Sequence, residues 1–281
     1  MTRIELPQDE DIYLRSHTSG AFALRYASVR SGESRDSDQP GQDFVSFAAG
    51  EGYLTFAVCD GVGQSFYGDL AARFLGRHLL GWLDDDGESL PDIERLAEEL
   101  TAFLEALTNE ATREVASVVI SPDLPELLRE VLEEKREWGS ETTFVCGRID
   151  LPRDDLPEGR LLLCWLGDSR LRLGKRNTWG RQIVEVTDES PDRWSSARGL
   201  VKGTPRLTLQ PLVPEGLTNV GNVLVYTDGL KLLDKHTIPL GGKDLDDLIV
   251  EASSSLQGDD ASVLEIEIGL RQVKTDGGAG V

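Results

Sequence analysis

The sequence predicts an α+β fold in which two antiparallel β-sheets pack together with helices on the outside. Three observations support this class. Strand-like segments occur before residue 60 and again after residue 140, and helical segments lie between these groups and near the C-terminus. The regular alternation of strands and helices that marks a parallel α/β sheet is absent. The chain of 281 residues can bury a large core, and neither an internal repeat nor a second domain is apparent.

Two short segments flank the predicted domain. Residues 1–20 are polar and show no clear period, which indicates a flexible N-terminal arm. A single domain is expected over residues 21–270. Residues 271–281 are rich in glycine and are predicted to form a flexible C-terminal tail.

The first part of the domain contains three predicted strands. Residues 22–29 form the first strand, and a loop rich in serine, glycine and aspartate follows over 31–41. Residues 44–47 and 53–59 are two apolar runs joined by a short turn that contains glycine, which is typical of a β-hairpin.

The middle of the chain is predicted to be helical. In residues 65–83, apolar side chains recur at steps of three and four, which indicates an amphipathic helix with its apolar face inward. A second helix is expected to begin near Pro91 and to continue to about residue 119. A third, shorter helix is expected over residues 126–137.

Strands return after these helices. They are predicted over 142–149, 161–166, 169–173 and 182–186. Residues 187–221 show no period while proline and glycine accumulate, so this segment is predicted to be irregular and mobile.

Three further elements complete the predicted domain. A buried strand is expected over 223–227, a helix over 245–254 and a last strand over 261–268. This order of elements suits two antiparallel sheets with helices outside them.

Composition excludes several classes of function. The formal net charge is −21, so a phosphate backbone would be repelled and nucleic acid is not expected as a partner. No apolar run approaches the roughly 18 residues of a membrane span, and the N-terminus lacks an apolar signal region. Three cysteines in apolar, strand-like runs indicate buried free thiols, which suits a reducing cytoplasm.

Acidic residues recur where predicted strands begin or end. Asp60 ends one apolar run and precedes Gly61, and Asp228 ends another and precedes Gly229. The other acidic strand ends are Asp43, Asp168 and Asp259. A strand fixes its carboxylate and a glycine lets the backbone turn, so such ends can hold a hard cation, Mg²⁺ or Mn²⁺ rather than zinc. Each aspartate taken alone can also be a turn residue or a helix cap.

Six short motifs occur in one order along the chain. They are Gln42-Asp43, Asp60-Gly61-Val62-Gly63, Gly139-Ser140-Glu141-Thr142-Thr143, Gly167-Asp168-Ser169-Arg170, Thr227-Asp228-Gly229 and Asp259-Asp260-Ala261-Ser262. In this order and spacing, the chain resembles the metal-dependent Ser/Thr protein phosphatases of the 2C type, as a bacterial-like member. Any one motif is weakly specific, but the resemblance covers about residues 21–269.

This resemblance implies an antiparallel β-sandwich flanked by helices on both faces, with metals at one end. It implies that phosphate monoesters of phosphoserine and phosphothreonine proteins are hydrolysed by a metal-activated water at a binuclear Mg²⁺ or Mn²⁺ site. Bacterial-type members add a third, weaker metal. The implied partners are phosphoproteins, with a Ser/Thr kinase opposing the phosphatase, and neither nucleic acid nor a membrane is expected.

The resemblance also implies roles for individual residues. Asp60 matches the carboxylate that bridges both metals, and the Gly61 carbonyl matches a ligand of one of them. Asp228 and Asp259 match ligands of the other metal. Asp168 matches a carboxylate associated with the third metal.

Two features depart from the family pattern: the first motif and the arginine that binds substrate phosphate. Asp43 occupies the acidic end of the first motif, whereas Gln42 stands where many members have Glu. The family carries an arginine just before this motif, where a guanidinium can bind substrate phosphate through two parallel donors. Arg30 is preferred for this role because a valine precedes it, as in the family. Arg35 is the other candidate, and Arg30 can also be an ordinary arginine at a strand end.

Two further positions leave alternatives open. Asp260 can replace Asp259 as the metal ligand, although with Asp259 as ligand the residues that follow match the family's continuation. Many eukaryotic members have a His after Asp-Gly that can protonate the leaving group, and here that position is Val62.

Two other functions also remain compatible with the sequence. A pseudophosphatase acting as a regulatory binding module would keep the fold and lose the metals. Gln42 and Val62 leave this function open, while the intact set of Asp60, Asp228 and Asp259 argues against it. A Mg²⁺-dependent hydrolase of another phosphate ester is the second alternative, and the missing P-loop argues against nucleoside triphosphates as its substrates.

Overall fold

The computed structural model describes residues 2–85, 92–183, 192–213, 220–254 and 258–269. In these residues, two antiparallel sheets pack face to face and helices cover the outer face of each sheet. The predicted α+β sandwich is therefore confirmed.

The strands and helices have the following bounds in chain order. The strands are β1 (Thr2–Glu5), β2 (Ile12–Ser19), β3 (Phe22–Val29), β4 (Phe44–Ala49), β5 (Tyr53–Gly61), β6 (Glu141–Asp150), β7 (Arg160–Leu166), β8 (Arg170–Gly174), β9 (Arg181–Gln182), β10 (Arg193–Ser195), β11 (Gly199–Val201), β12 (Arg206–Gln210), β13 (Asn222–Tyr226) and β14 (Ala261–Ile268). The helices are α1 (Gly32–Asp36), α2 (Gly68–Asp85), α3 (Ile93–Ala106), α4 (Thr108–Ser117), α5 (Glu126–Trp138), the 3₁₀ helix Asp228–Lys235 and α6 (Gly242–Ser254).

All pairings between strands in both sheets are antiparallel. The first sheet has the order β1-β4-β5-β6-β7-β12, and the short strands β10 and β11 extend it beside the start of β6. The second sheet has the order β2-β3-β14-β13-β8-β9. The β5–β6 pair is the longest in the first sheet, from Tyr53 opposite Asp150 to Gly61 opposite Thr142. This pair carries Asp60 to the edge of the sandwich.

Three groups of apolar side chains hold the layers together. Between the sheets, inward-facing residues such as Phe56 and Leu264 are fully buried. The outer face of the first sheet packs on α2, α3 and α4, where Leu79 is fully buried. The outer face of the second sheet packs on α6 through Ile249. Successive side chains of a strand point to opposite faces of its sheet, and apolar residues occur on both faces here. This is expected because each sheet is covered by other protein layers on both faces.

The N-terminal segment is not the flexible arm that the sequence predicted. β1 pairs with β4 from Thr2 opposite Ala49 to Glu5 opposite Ser46, and β2 pairs with β3. Both are edge strands, and many of their side chains are exposed. Polar residues therefore replace the apolar alternation by which inner strands are recognised.

The predicted second helix is in fact two helices. α3 begins after Asp92, whose carboxylate accepts a hydrogen bond from the Arg95 backbone N–H at 2.9 Å. It ends at Ala106, and α4 begins at Thr108. The intervening Leu107 keeps helical backbone angles, and neither proline nor glycine lies at the break. The sequence pattern therefore does not mark where α3 ends.

The segment predicted to be irregular contains three short strands. β10 pairs with β6, β11 pairs with β10, and β12 pairs with β7 over five residues. Strands this short, set between prolines and glycines, leave too little pattern to recognise. The predicted mobility stays a prediction. Residues 184–191 and 214–219, with the end of the predicted strand 182–186, lie outside the described residues, as does the predicted tail 271–281.

Two simpler predictions concern the cysteines and the membrane. Cys59, Cys146 and Cys164 are buried in the first sheet and form no disulfide bond, as expected. None of the helices in the described ranges is both long and apolar enough to cross a bilayer.

Candidate active site

The predicted site residues lie where strands begin or end at one edge of the sandwich. Asp60 is the penultimate residue of β5, Asp228 begins the 3₁₀ helix after β13, and Asp259 lies two residues before β14. In an antiparallel pair, the end of one strand lies beside the start of its partner. The β13–β14 pairing therefore brings Asp228 and Asp259 to the same edge.

Like charges surround Asp60. Burial raises the pKa of the Asp60 carboxyl well above its usual range, and the charge of Asp43 raises it further. The charges of Asp228, Asp259 and Asp168 act in the same direction. All five predicted aspartates thus form one cluster, with Asp60 in electrostatic contact with each of the others.

Asp43 is the most buried member of this aspartate cluster. Its side chain is 3% exposed, and its Oδ2 accepts a hydrogen bond from the Thr227 hydroxyl at 2.8 Å. The Thr227 hydroxyl oxygen in turn accepts a hydrogen bond from the Ser262 backbone N–H at 3.0 Å. Burial, followed by the charge of Asp260, raises the pKa of Asp43 well above its usual range. Thr227 therefore links the Asp43 carboxylate, which precedes β4, to the backbone at the start of β14.

Asp259 and Asp168 also respond to the charge of Asp228. Lost hydration among the surrounding protein atoms, together with the charge of Asp228, raises the pKa of Asp259 to about 6, although this side chain still reaches solvent. Burial and the charge of Asp228 likewise raise the pKa of Asp168. Asp168, which lies between β7 and β8, and Asp259, which precedes β14, therefore both interact electrostatically with Asp228 at the start of the 3₁₀ helix.

Asp260, the alternative ligand, braces a loop instead. It is 4% exposed, its Oδ1 accepts a hydrogen bond from the Ser31 N–H at 2.5 Å, and its Oδ2 accepts one from the Gln42 N–H at 2.5 Å. Both carboxylate oxygens thus bind the loop that joins β3 to β4. This arrangement favours Asp259 as the residue that faces a ligand.

Two glycines let backbone segments approach closely at the cluster. A Cβ atom on Gly61 would lie 2.6 Å from the Gly68 carbonyl and 2.8 Å from the Gln42 carbonyl oxygen. A Cβ atom on Gly229 would lie 2.0 Å from the Asp260 carbonyl oxygen. Real side chains do not tolerate such contacts with backbone atoms, so glycine is required at both positions.

The motif at residues 139–143 supports the turn that follows Asp60. The Thr142 hydroxyl donates a hydrogen bond to the Asp60 carbonyl oxygen at 2.7 Å. The Val62 N–H donates to the Glu141 carbonyl oxygen at 2.9 Å. The motif therefore holds the Asp60–Gly61 turn through its backbone.

Tyr67 is a residue of the site that the sequence analysis missed. Its φ is +43°, a left-handed conformation that non-glycine residues rarely adopt. The Ser140 hydroxyl donates a hydrogen bond to the Tyr67 carbonyl oxygen at 2.7 Å and accepts one from the Ala71 N–H at 3.0 Å. No pattern in the sequence marks such a conformation at a tyrosine.

An open cavity of about 550 Å³ adjoins the aspartate cluster. Gly61 and Asp259 line it on the cluster side, Glu33 lines it from α1, and Lys135 lines it from α5. Tyr67 also contributes to its wall. Lys135 is the only positively charged side chain among the described residues that line this cavity, and the sequence analysis did not select it. A cavity of this size can admit a modified side chain and part of its peptide.

Neither predicted phosphate-binding arginine lines the cavity. Arg30 Nε donates a hydrogen bond to Asp11 Oδ1 at 3.1 Å. Arg35 lies 3.8 Å from Asp11 Oδ2 and donates to the Ser253 carbonyl oxygen. The Asp11 carboxylate thus forms ion pairs with both arginines. Its contact with Arg30 is through Nε, and the two terminal nitrogens of Arg30 form no hydrogen bond with a described residue.

The cluster contains no histidine among the residues that the structure describes. His78 lies in α2 with Nδ1 2.8 Å from the Phe74 carbonyl oxygen. His17 is in β2, and His236 follows the 3₁₀ helix. Val62 occupies the turn beside the cluster, so no imidazole is available there to donate a proton.

The cluster fits divalent ions that keep much of their water. Carboxylate and carbonyl oxygens suit Mg²⁺ and Mn²⁺, and Mg²⁺ is usually bound through one or two carboxylates and several waters. Within the described ranges, no three Asp, Glu, His or Cys side chains are grouped closely enough to hold one ion. Burial and mutual repulsion raise the pKa values of Asp43 and Asp60, and a divalent ion bound among these carboxylates would offset that repulsion. These features fit hydrated ions shared among carboxylates rather than a closed zinc site.

No sequence-family model matches the chain, and a search of curated proteins found no significant match. Solved structures match it in fold. RsbX in complex with magnesium is 11% identical, with a TM-score of 0.53 and coverage of 91% of this chain and 99% of RsbX. A bacterial serine phosphatase is 15% identical, with a TM-score of 0.57 and coverage of 89% of this chain and 99% of that protein.

The Ser/Thr phosphatase Stp1 from Staphylococcus aureus is a third structure of this kind. It is 14% identical, with a TM-score of 0.56 and coverage of 87% of this chain and 94% of Stp1. At these identities the similarity establishes the fold alone. The resemblance drawn from the sequence motifs is thereby confirmed at the level of the fold.

Proposed function

We propose that the chain is a Ser/Thr phosphoprotein phosphatase of the 2C type that depends on divalent ions. The single observation that carries this proposal is the cluster in which the charges of four aspartates act on Asp60. Carboxylates held this close repel one another, so the arrangement favours cation binding over a purely structural role. The fold shared with solved Ser/Thr phosphatases supports the same function.

Asp60, Asp228 and Asp259 are the carboxylates proposed to hold two Mg²⁺ or Mn²⁺ ions. The Gly61 carbonyl and Asp43 are the proposed additional ligands, and Asp168 is the residue proposed for a third ion. Divalent ions bound there would lower the pKa of water and neutralise phosphoryl oxygens.

The protein's own contribution is to hold these groups still. The Asp60 backbone carbonyl is fixed by the Thr142 hydroxyl, and the Asp43 carboxylate is fixed by the Thr227 hydroxyl. Asp260 holds the loop before β4 through two backbone N–H groups. Carboxylates placed on strand ends therefore need little reorganisation when substrate arrives.

Substrate phosphate needs a cationic contact as well. Arg30 stays the proposed contact, because a guanidinium presents two parallel donors and only its Nε is paired with Asp11. Since Arg30 does not line the cavity, its side chain would have to turn towards the substrate. The leaving oxygen of phosphoserine needs a proton, and Val62 cannot donate one. We infer that water protonates this oxygen.

Phosphoserine and phosphothreonine proteins are the proposed substrates, opposed by a Ser/Thr kinase. The three buried cysteines, which form no disulfide bond, suit a reducing cytoplasm. Neither a nucleic acid nor a membrane enters the proposal, because the net charge of −21 would repel both phosphate backbones and anionic lipids.

The test is phosphate release from a phosphoserine peptide by the chelated protein, titrated with Mn²⁺ or Mg²⁺. We expect no turnover without metal and restored turnover with it. The metal should also raise the free energy of unfolding by roughly 2.7 kcal/mol at a hundredfold excess over its dissociation constant. A folded protein that shows neither stabilisation by metal nor turnover of any phosphate ester would support the pseudophosphatase instead, and turnover that survives chelation would exclude the metal mechanism.

A further inference from the structure

Helix α5 exposes large apolar side chains along much of its length. It has no buried residue over its 13 positions. Leu127 is 73% exposed, and Leu128 and Val131 are 44% and 40% exposed. Trp138 at the end of the helix is 57% exposed, and the Arg198 guanidinium lies 5.0 Å from the centre of its ring. Large apolar side chains grouped in this way on a soluble surface mark an interaction site more often than they mark chance exposure.

The attachment of α5 is polar and lies towards its C-terminal end. Arg136 donates a hydrogen bond to the Val118 carbonyl oxygen at 2.9 Å, and its guanidinium lies 5.1 Å from the centre of the Phe66 ring. The Trp138 carbonyl oxygen accepts a hydrogen bond from the Ser195 hydroxyl at 3.1 Å. These contacts hold the helix near its C-terminal end, and Leu127, Leu128 and Val131 take no part in them.

The apolar side of α5 is continuous with the cavity at the aspartate cluster. Leu128, Val131, Leu132 and Lys135 follow one another at steps of three, one and three, which places them on one side of a helix. Leu132 and Lys135 line the cavity that Asp259 also lines. A helix of 13 residues is about 20 Å long, so this side can accompany about six residues of extended peptide out of the cavity.

Charge indicates what kind of peptide this surface accepts. α5 carries five glutamates and three basic residues among its 13 residues, so its acidic residues are in excess. The cavity wall adds Glu33 and Asp69 to the aspartate cluster, against Lys135. The whole chain has a formal net charge of −21. A partner with basic residues is attracted by this surface, whereas an acidic partner is repelled.

We propose that α5 is the substrate-docking element of this phosphatase. It takes a phosphorylated segment that has basic residues beside the phosphoserine and an apolar side chain a few residues away, which packs on Leu128 and Val131. This proposal rests on the proposed function for the identity of the reacting group. The docking surface itself depends only on the exposed side of α5 and on the acidic charge around it.

The test uses a fluorescent phosphoserine peptide that carries two arginines next to the phosphoserine and a leucine four positions away. A second peptide replaces both arginines with glutamates. Val131→Asp is compared with Val250→Asp on α6, a valine of matching exposure at 41% on the other side of the sandwich. Glu130→Lys is compared with Glu251→Lys on α6.

Binding is measured by fluorescence anisotropy, so it does not require turnover. We expect Val131→Asp to weaken binding of the arginine peptide about tenfold and Val250→Asp to leave it unchanged. Glu130→Lys should weaken binding of the same peptide more than Glu251→Lys does. The wild-type protein should bind the arginine peptide more tightly than the glutamate peptide, and this preference should weaken as salt is raised.

Turnover separates a failure of docking from a failure of the proposed function. The ratio of kcat/KM on the arginine peptide to kcat/KM on p-nitrophenyl phosphate should fall in Val131→Asp. Equal effects of Val131→Asp and Val250→Asp on binding, or tighter binding of the glutamate peptide, would overturn the docking proposal. Absence of hydrolysis of both esters by the wild-type protein with Mn²⁺ would overturn the proposed function while leaving the binding comparison decisive for α5.

Discussion

Substitution of Asp260 by Asn separates a structural carboxylate from one that faces a ligand. An asparagine keeps one acceptor oxygen and turns an NH₂ group towards one of the two backbone donors, Ser31 and Gln42. One charge-assisted hydrogen bond is then lost, at about 1.5–3 kcal/mol, and one buried N–H is left unpaired, at about 1–3 kcal/mol. Removal of the charge beside Asp43 offsets part of this cost. We expect Asp260→Asn to lower the free energy of unfolding by about 2–3 kcal/mol.

Asp259→Asn should behave in the opposite way when no metal is present. The pKa of Asp259 is about 6 in the folded protein, against about 3.9 in an unfolded chain. Between these pH values the folded state binds more protons, so stability is present below pH 4 and is lost as the pH rises through 6. Metal-free wild-type protein should therefore be less stable at pH 7 than at pH 5, and Asp259→Asn should reduce this difference.

Urea unfolding of both variants in EDTA, at pH 5 and pH 7, provides the measurement. With Mn²⁺ added, Asp259→Asn should lose most of the metal-induced stabilisation, whereas Asp260→Asn should keep it. An Asp260→Asn protein as stable as wild type, together with an Asp259→Asn protein that is destabilised without metal, would show that the two aspartates have been assigned the wrong roles.

Two further predictions concern the turn after Asp60. Gly61→Ala should lower the free energy of unfolding by about 1–3 kcal/mol, because its Cβ atom would lie 2.6 Å from the Gly68 carbonyl group. Gly81→Ala in α2 is the control, since a Cβ atom there meets nothing within 4 Å, and it should be neutral or stabilising in the same urea titration. Val62→His should improve turnover of phosphoserine peptide more than turnover of an aryl phosphate, because a positioned acid contributes about 10²-fold or more where the leaving group is poor. Equal effects on both esters, with metal binding unchanged, would show that this position does not control protonation.

The sequence was most informative where buried strands end in a carboxylate and a glycine. The last strand, predicted over residues 261–268, has these bounds in the structure, and all of its residues except Glu267 are buried. β5 runs two residues beyond its predicted end, since its pairing with β6 continues through Asp60 and Gly61. Local pattern thus located the acidic strand ends, and their grouping into one cluster followed from the antiparallel order of the strands.

Pattern was less informative at the edges of the sheets. β1 and β2 carry polar residues because one side of an edge strand faces water, so they resembled a loose arm. β10 and β11 are three residues each, which is shorter than any period that can be read.

The sequence pattern did not predict contacts between residues that lie far apart along the chain. Asp11 holds Arg30 and Arg35, but it belongs to the segment that was expected to be an arm. Lys135 reaches the cavity because α5 and α1 both contribute to its wall, and the left-handed backbone of Tyr67 is stabilised by Ser140. Each of these features depends on tertiary packing, which local composition does not encode.

The central claim is that Asp60 organises a divalent-ion site that hydrolyses phosphoserine. Its most direct test is Mn²⁺-dependent phosphate release by Asp60→Asn, with Asp154→Asn as the control. Asp154 is an exposed residue between β6 and β7, at the opposite end of β6 from the position that pairs with Asp60. We expect Asp60→Asn to remain folded, to lose the stabilisation by Mn²⁺ and to lose most of its turnover, while Asp154→Asn retains both. A folded Asp60→Asn protein with wild-type turnover and wild-type Mn²⁺ stabilisation would contradict the claim.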